Sequence, residues 1–473
     1  MKIITKCICF LVCSTIPVSA QLKWERVFGD SARDQAFSVA TTPDNGYIIA
    51  GFSAAFPWKC YEMFVIKTDM YGDTIWERHY GSDFNDYCWS IAPAHDSGYV
   101  LVGATDSIFQ TGPHDVYLLM INEQGDSMWA RVYGDTTSGQ YTNDVGHRIE
   151  PTADGGYILI GSTESYGAGL HDIYLIKVDA IGDTLWTRTY GTSMYETGKA
   201  VLQTYDGGFV VAGTTYETGF SQQIWILRID AYGDTMWTDL YGGTGSENVT
   251  DIVQTLDHGF VFVGSTTSYG AGNDDLYLVK IDSLGAIDWS KTYGYQYPDW
   301  GNGLAQTVDS GYIIIGGTRI SPDPEDCYAW LLKTDSNGDT AWTRLKPTEA
   351  GSANGMDVQQ APDGGYIIAA ITWEYGGDDD FLLIKTDPEG ISMVEEYDYR
   401  NTPSHAALAV PNPFTHSTCI RGHETDIYEI YNTTGQYVGT YQGNNIGNDL
   451  SSGVYFLSPR MGDHDPILII KVR

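Results

Sequence analysis

Short apolar runs, of the length suited to buried strands, recur along this chain at a nearly constant interval. Between Asp154 and Tyr190 three follow one another: Gly156-Tyr-Ile-Leu-Ile-Gly161, Ile173–Val178 and Leu185–Tyr190. The turn ahead of the first run, and Asp179-Ala-Ile-Gly-Asp183 between the others, each put Gly after Asp. That arrangement suits a tight turn with positive φ and a side chain that caps its own backbone amides. A further strand lies upstream, as Ala200-Val-Leu-Gln-Thr204 in the following copy, so the unit predicts four antiparallel strands.

The unit recurs seven times. Its first turn returns at Asp44, Asp96, Asp154, Asp206, Asp257, Asp309 and Asp363. Its outer strand returns at Trp24, Trp76, Trp129, Trp186, Trp237, Trp289 and Trp342, 51 to 57 residues apart. A period of about 50 residues holding four short strands is that of propeller blades. The fold expected is therefore all-β: a seven-bladed β-propeller of four-stranded antiparallel blades. Trp24–Phe28 has no blade in front of it, and is expected to supply the outer strand of the seventh, closing the ring and hiding its free edges. The competing arrangement is a hairpin of Ile391–Tyr397 into that blade. In the outer strand a period of two puts Trp186, Arg188 and Tyr190 on one face, a row expected to pack on the next blade with its cation stacked or paired.

The chain has 473 residues and a formal charge of −35, which argues against nucleic acid or anionic membrane as partners. Residues 1–20 read as a secretory signal peptide: Lys2 and Lys6, the apolar run Cys7–Val12, and Val18-Ser19-Ala20 as cleavage site. No other run reaches the ~18 apolar residues of a membrane span. An exported chain meets an oxidising compartment. Cys60 and Cys88 are placed to meet on one face, as a bridge or as two free thiols, while Cys327 and Cys419 are expected unpaired.

Two kinds of loop alternate. The links from first to second strand and from third to outer strand are tight; those from second to third strand and between blades are longer and vary, so they share one face, where binding usually resides. Two acid positions recur on that face. Asp34, Asp86, Asp144, Glu196, Glu247 and Asp299 stand at the start of the first strand, broken by Ala353. Glu62, Asp115, Asp172, Asp275 and Asp380 stand before the third, with Gln223 and Tyr328 as exceptions. Each is expected to cap amides of its own loop; the functional alternative is calcium, which takes hard oxygen ligands. Aromatics crowd the same face, Trp58, Tyr166, Tyr269, Tyr297, Trp300 and Trp373 among them, and flat rings beside carboxylates suit sugar or peptide recognition.

Catalytic constellations are weak. The chain has no His-Glu-x-x-His, no phosphate-cradling Gly loop before a Lys and no Gly-x-Ser-x-Gly elbow. His114 and His171 occupy equivalent positions, with His147 in the loop between them, a set that reads as surface histidines ahead of a zinc cluster. Paired acids are too abundant to single out a glycosidase pair.

From about Pro403 the repeat gives way to a second pattern. Pro411-Asn412-Pro413-Phe414, then Ile427-Tyr-Glu-Ile-Tyr-Asn-Thr-Thr-Gly435, then Leu450-Ser-Ser-Gly453-Val-Tyr455-Phe-Leu457, and last Ile469-Ile-Lys-Val-Arg473 together resemble the type A C-terminal sorting domain of type IX secretion cargo. The resemblance covers roughly the last 65 residues. It implies a small Ig-like β-sandwich that takes the protein through the outer membrane by way of the type IX machinery. The propeller repeats resemble those often found ahead of such domains, a likeness that carries no substrate. The organisation expected is a signal peptide over 1–20, a propeller over 21–397, a linker over 398–404 and a sorting domain over 405–473. The function expected is an exported, monomeric, surface-displayed or released binding module for glycan or protein. The alternatives are a carbohydrate-active hydrolase or lyase at the long-loop mouth of the channel, and a structural adhesion protein.

Overall fold

In the computed structural model the run Tyr157–Thr163 is a strand with every residue buried, as a strand needs when both its faces are covered. The structure describes residues 22–29, 33–54, 60–106, 114–135, 142–216, 221–323, 326–346, 352–373 and 379–392, with shorter stretches between 409 and 471. In each repeat such a strand lies between a first strand and a third, with a half-exposed outer strand at the edge. The result is a ring of seven four-stranded antiparallel blades.

The outer strand of the seventh blade comes from the beginning of the chain, as expected. Trp24–Phe28 pairs antiparallel with the third strand Asp379–Lys385, Trp24 opposite Lys385 and Phe28 opposite Phe381. The seam is packed like any other junction: Trp24, Ala36, Val39 and Ile49 form one buried cluster with Ile367, Phe381 and Leu383. Ile391 and Ser392 do not extend the sheet; Ser392 is buried and its hydroxyl bonds Glu25. The cores lie between blades rather than within them, as where Ala212 and Ile226 meet Val249 and Phe262.

The outer-strand row grips the next blade's turn. Trp76 Nε1 donates to the Glu123 carbonyl (2.9 Å) and the Tyr80 hydroxyl to that of Gly125 (2.6 Å), while the Arg78 guanidinium sits over its own Trp76 ring at 5.9 Å. The same device repeats at Trp129, where Arg131 also pairs with Asp183 of the following blade at 3.2 Å. At the centre of that turn Gly182 has φ +80°, and a Cβ there would lie 2.7 Å from the Trp129 ring. Glycine is therefore required twice over, by conformation and by space.

The first strands face one another around the axis, each touching those of both neighbouring blades, and Asp34–Thr41 meets Ser352–Gln360 to complete the circle. Every one carries a β-bulge at the same place: between Ala36 and Ser38, Cys88 and Ser90, Gly146 and Arg148, Gly198 and Ala200, Val249 and Asp251, Gly301 and Gly303, and Gly355 and Asp357. A bulge inserts one residue and re-aims its side chain.

The chain divides into two units, at Val394 and Glu395. In the second, Ile427–Asn432 lies between Tyr437–Gln442 and Gly453–Pro459, with Ile467–Lys471 beyond, and Ala409–Val410 pairs with Cys419–Ile420. Tyr428, Ile430, Ile446, Leu450, Tyr455 and Leu457 form its core. Pro411-Asn412-Pro413-Phe414 lies outside the described residues.

Candidate functional site

The acids that open the first strands are buried, and most of them accept hydrogen bonds from nearby loops and strands. Asp144 accepts from the Thr163 hydroxyl and from the amide and hydroxyl of Ser165. Glu196 accepts from the Thr192 amide (3.0 Å), the Thr192 hydroxyl (2.7 Å) and the Thr215 hydroxyl (2.8 Å). Glu247 binds the Gly243 amide and Thr266, Asp86 the Ser82 amide, and Asp299 the Tyr295 amide. Asp34 is equally buried. The second set behaves alike: Asp172 takes the amides of Ala168 and Gly169, Asp275 those of Ala271 and Gly272. The capping role is thus realised at these positions. Among the described residues no group of three or more His, Cys, Asp or Glu side chains is arranged to hold a metal ion.

The tight-turn face has its own internal chemistry. The turn aspartates pair with a deeply buried cation on the third strand: Lys67 with Asp44 (2.8 Å), Lys177 with Asp154 (2.9 Å), Lys280 with Asp257 (2.9 Å), Lys333 with Asp309 (3.0 Å), Lys385 with Asp363 (2.8 Å), and Arg228 with Asp206. Met120 replaces the cation in the second blade.

The aromatic candidates are spread around the rim and are not brought together. Tyr166 and Tyr269 hold equivalent positions in the third and fifth blades and are 42% and 46% exposed. The ring of Tyr166 leans on Tyr174, and that of Tyr269 on Tyr277. Tyr269 also lines a cleft of about 370 Å³ with Tyr241, Gly242, Tyr277 and Lys291. Tyr297 and Trp373 are half-buried. Trp300 is on a first strand, its Nε1 bonded to Asn354 Oδ1 at 3.1 Å under the Arg319 guanidinium. Trp58 lies outside the described residues. Cys60, Cys88 and Cys327 are free thiols, with Cys88 pushed up to about 12 by burial.

The histidines correct one expectation. His147 is in no loop: it is the bulge residue of the first strand Asp144–Pro151. His114 pairs with Asp106 and His171 with Glu164, so the three are engaged separately.

The bulges define a site that the strand pattern alone does not announce. The re-aimed residues in blade order are Phe37, Trp89, His147, Lys199, Thr250, Asn302 and Met356, all half-exposed where the first strands ring the axis. Three reach across to the next blade: His147 Nδ1 donates to the Gly198 carbonyl (2.7 Å), Thr250 to that of Gly301 (2.9 Å) and Asn302 to that of Gly355 (2.7 Å). One residue further on, side chains cap the amide freed by the following bulge: Ser38 that of Ile91, Ser90 that of Ile149, Asp251 that of Leu304, Asp357 that of Val39. Arg148 stands in this layer between Glu150 (3.1 Å) and Asp251 (3.4 Å). Burial pushes Asp251 up to about 6 although the Arg148 charge pulls the other way. Burial, helped by the neighbouring Lys199 charge, lowers His147 to about 3. A neutral ring that donates from Nδ1 keeps Nε2 as an acceptor. Comparison of the same column across seven copies was the sequence signal that could have found these residues.

No protein-family model matches the chain, and no curated protein matches it. Among solved structures it is similar to a protein of unknown function from Dyadobacter fermentans (12% identity, TM-score 0.46, over 77% of this chain and 98% of that one). It is also similar to Sqt1 from Chaetomium thermophilum (12%, 0.43, 78% and 88%). A third is PorZ, a surface component of the type IX secretion system of Porphyromonas gingivalis (10%, 0.32, 93% and 82%). At these scores none of the three assigns a ligand or an activity.

Proposed function

We propose that this chain is an exported binding protein that presents the long-loop face of its propeller to glycan or protein, and that residues 405–473 carry it across the outer membrane by the type IX route. The observation behind the binding role is the division of labour on that face. Buried carboxylates such as Glu196 and Asp172 are engaged by their own loops, whereas Tyr166 and Tyr269 expose ring surface on a rigid scaffold. A face that keeps such carboxylates engaged and leaves its rings partly exposed favours stacking and hydrogen bonding over acid–base chemistry. Export rests on the sorting-domain motifs, including Gly453 and Tyr455, and on the leader-like residues 1–20.

Expression in a bacterium that has type IX machinery, with and without residues 405–473, tests the route. The full chain is expected at the surface or in the medium and the truncated chain in the periplasm. Equal export of both would refute the assignment.

A further inference from the structure

Lys199 stands apart, among the described residues, from the paired cations of the blades. Six cations of the third strands each meet a turn aspartate, and Arg148 stands between two carboxylates. The ammonium of Lys199 has no hydrogen bond or ion pair among the described residues. Its counterparts His147, Thr250 and Asn302 each bond the carbonyl offered by the next blade, and Lys199 does not. A half-exposed ammonium held in the channel without a counter-charge carries part of that desolvation cost and is open to an anion, and the chain, with 61 acids to 26 bases, has left it unpaired.

Its neighbours in the channel supply complementary chemistry. On one side stands His147, with Nδ1 committed to Gly198 and Nε2 left to accept a proton donor. Beyond it come Trp89, whose ring meets His147 edge to face at 5.9 Å, and Phe37, half-buried aromatics on consecutive blades. This arc therefore runs from apolar wall, through hydrogen-bond acceptor, to cation. We propose that the central channel holds a binding site for a small sugar acid, its carboxylate on Lys199, a hydroxyl donating to His147 Nε2, and its ring against the Trp89–Phe37 wall. A singly charged ligand fits better than a phosphate, because Lys199 offers one unpaired positive charge and Arg148 is already taken by Glu150 and Asp251. Burial lowers the Lys199 amine from its ordinary value, and a bound carboxylate would act in the opposite direction by favouring the ammonium. This site is separate from the rim tyrosines and stands whether or not they bind anything.

The test is calorimetric titration of the full secreted chain with galacturonate, galactose and inorganic phosphate. Galacturonate is expected to bind at least tenfold more tightly than either of the others, and Lys199→Met to weaken it at least tenfold. Removing an unpaired charge should leave the fold intact, with a melting temperature no lower than the parent's. If that variant does not fold, galacturonate should still slow acetylation of Lys199 in the parent, read by mass spectrometry against the half-exposed Lys291 on the outer strand of the fifth blade. Galactose or phosphate binding as well as galacturonate, an unchanged affinity in Lys199→Met, or no protection of Lys199 would each overturn the proposal.

Discussion

His147 Nδ1 donates to the Gly198 carbonyl on the neighbouring blade, 2.7 Å away, and ties two first strands together at the channel wall. Burial, with the Lys199 charge beside it, holds the ring neutral and lowers its pKa from 6.5 to about 3, although the bond to the carbonyl pulls the other way. The unfolded chain therefore binds a proton below pH 6.5 that the folded chain refuses, and stability drains away as pH falls from 6.5 toward 3. Asp251, raised from 3.8 to about 6, acts in the opposite sense and loses its contribution as pH rises across that window.

His147→Asn separates the two. Asparagine keeps the donor, as Asn302 does toward Gly355, but cannot titrate. Between pH 6.5 and pH 4 the parent should lose on the order of 2 kcal/mol that the variant retains, allowing for water in the channel. Parallel denaturation curves at the two pH values would contradict this account of His147.

The Lys385–Asp363 pair should matter more than the surface pairs it resembles. Lys385 is fully buried, and burial lowers its pKa; Asp363→Asn would strand its charge. A loss of about 3–5 kcal/mol is expected. Asp183→Asn, which breaks the exposed contact with Arg131, should cost no more than about 1 kcal/mol. Urea denaturation of both variants checks the ranking, and equal losses would refute it.

Gly182 and Gly207 both have positive φ, at +80° and +84°. Only Gly182 lies against a neighbour, since a Cβ at Gly207 meets nothing within 4 Å. Gly207→Ala should cost about 1 kcal/mol for conformation alone. Gly182→Ala should cost about 1–3 kcal/mol more, because the turn must back away from Trp129. A smaller loss at Gly182 than at Gly207 would mean that the outer-strand grip is slack.

These sites show what was legible in the sequence and what was not. The propeller was, because Asp-Gly turns and doubly apolar strands such as Tyr157–Thr163 are local signals that recur in phase. Closure by Trp24–Phe28 followed from one outer strand in excess. The cap role of Glu196 followed from its distance to its own loop. The channel site did not follow, because a bulge shifts side-chain direction by one residue and breaks the period of two on which strand reading depends; His147 was accordingly assigned to a loop. The pairing of Lys385 with Asp363 was hidden for another reason, since a buried lysine in an apolar run gives no sign of which aspartate will meet it.

Closure itself is open to a direct check. Trp24–Phe28 covers the edge of Asp379–Lys385 and contributes Trp24 to the seam. Deleting residues 21–29 should lower the melting temperature by ten degrees or more and expose a sheet edge prone to association. A monomer with an unchanged melt would show that another segment closes the ring.

The most direct test of the binding role is a glycan and peptide array probed with the full chain, in calcium and in chelator, beside a Tyr166→Ala, Tyr269→Ala double variant. The account predicts a defined set of ligands for the parent and at least a tenfold weaker signal for the variant, which should stay folded with a modestly lower melting temperature, because it loses the contacts of the two rings with Tyr174 and Tyr277 and the bond from the Tyr269 hydroxyl to the Gly242 carbonyl. A blank array for the parent, or an undiminished signal from the variant, would contradict the assignment of binding to the long-loop face.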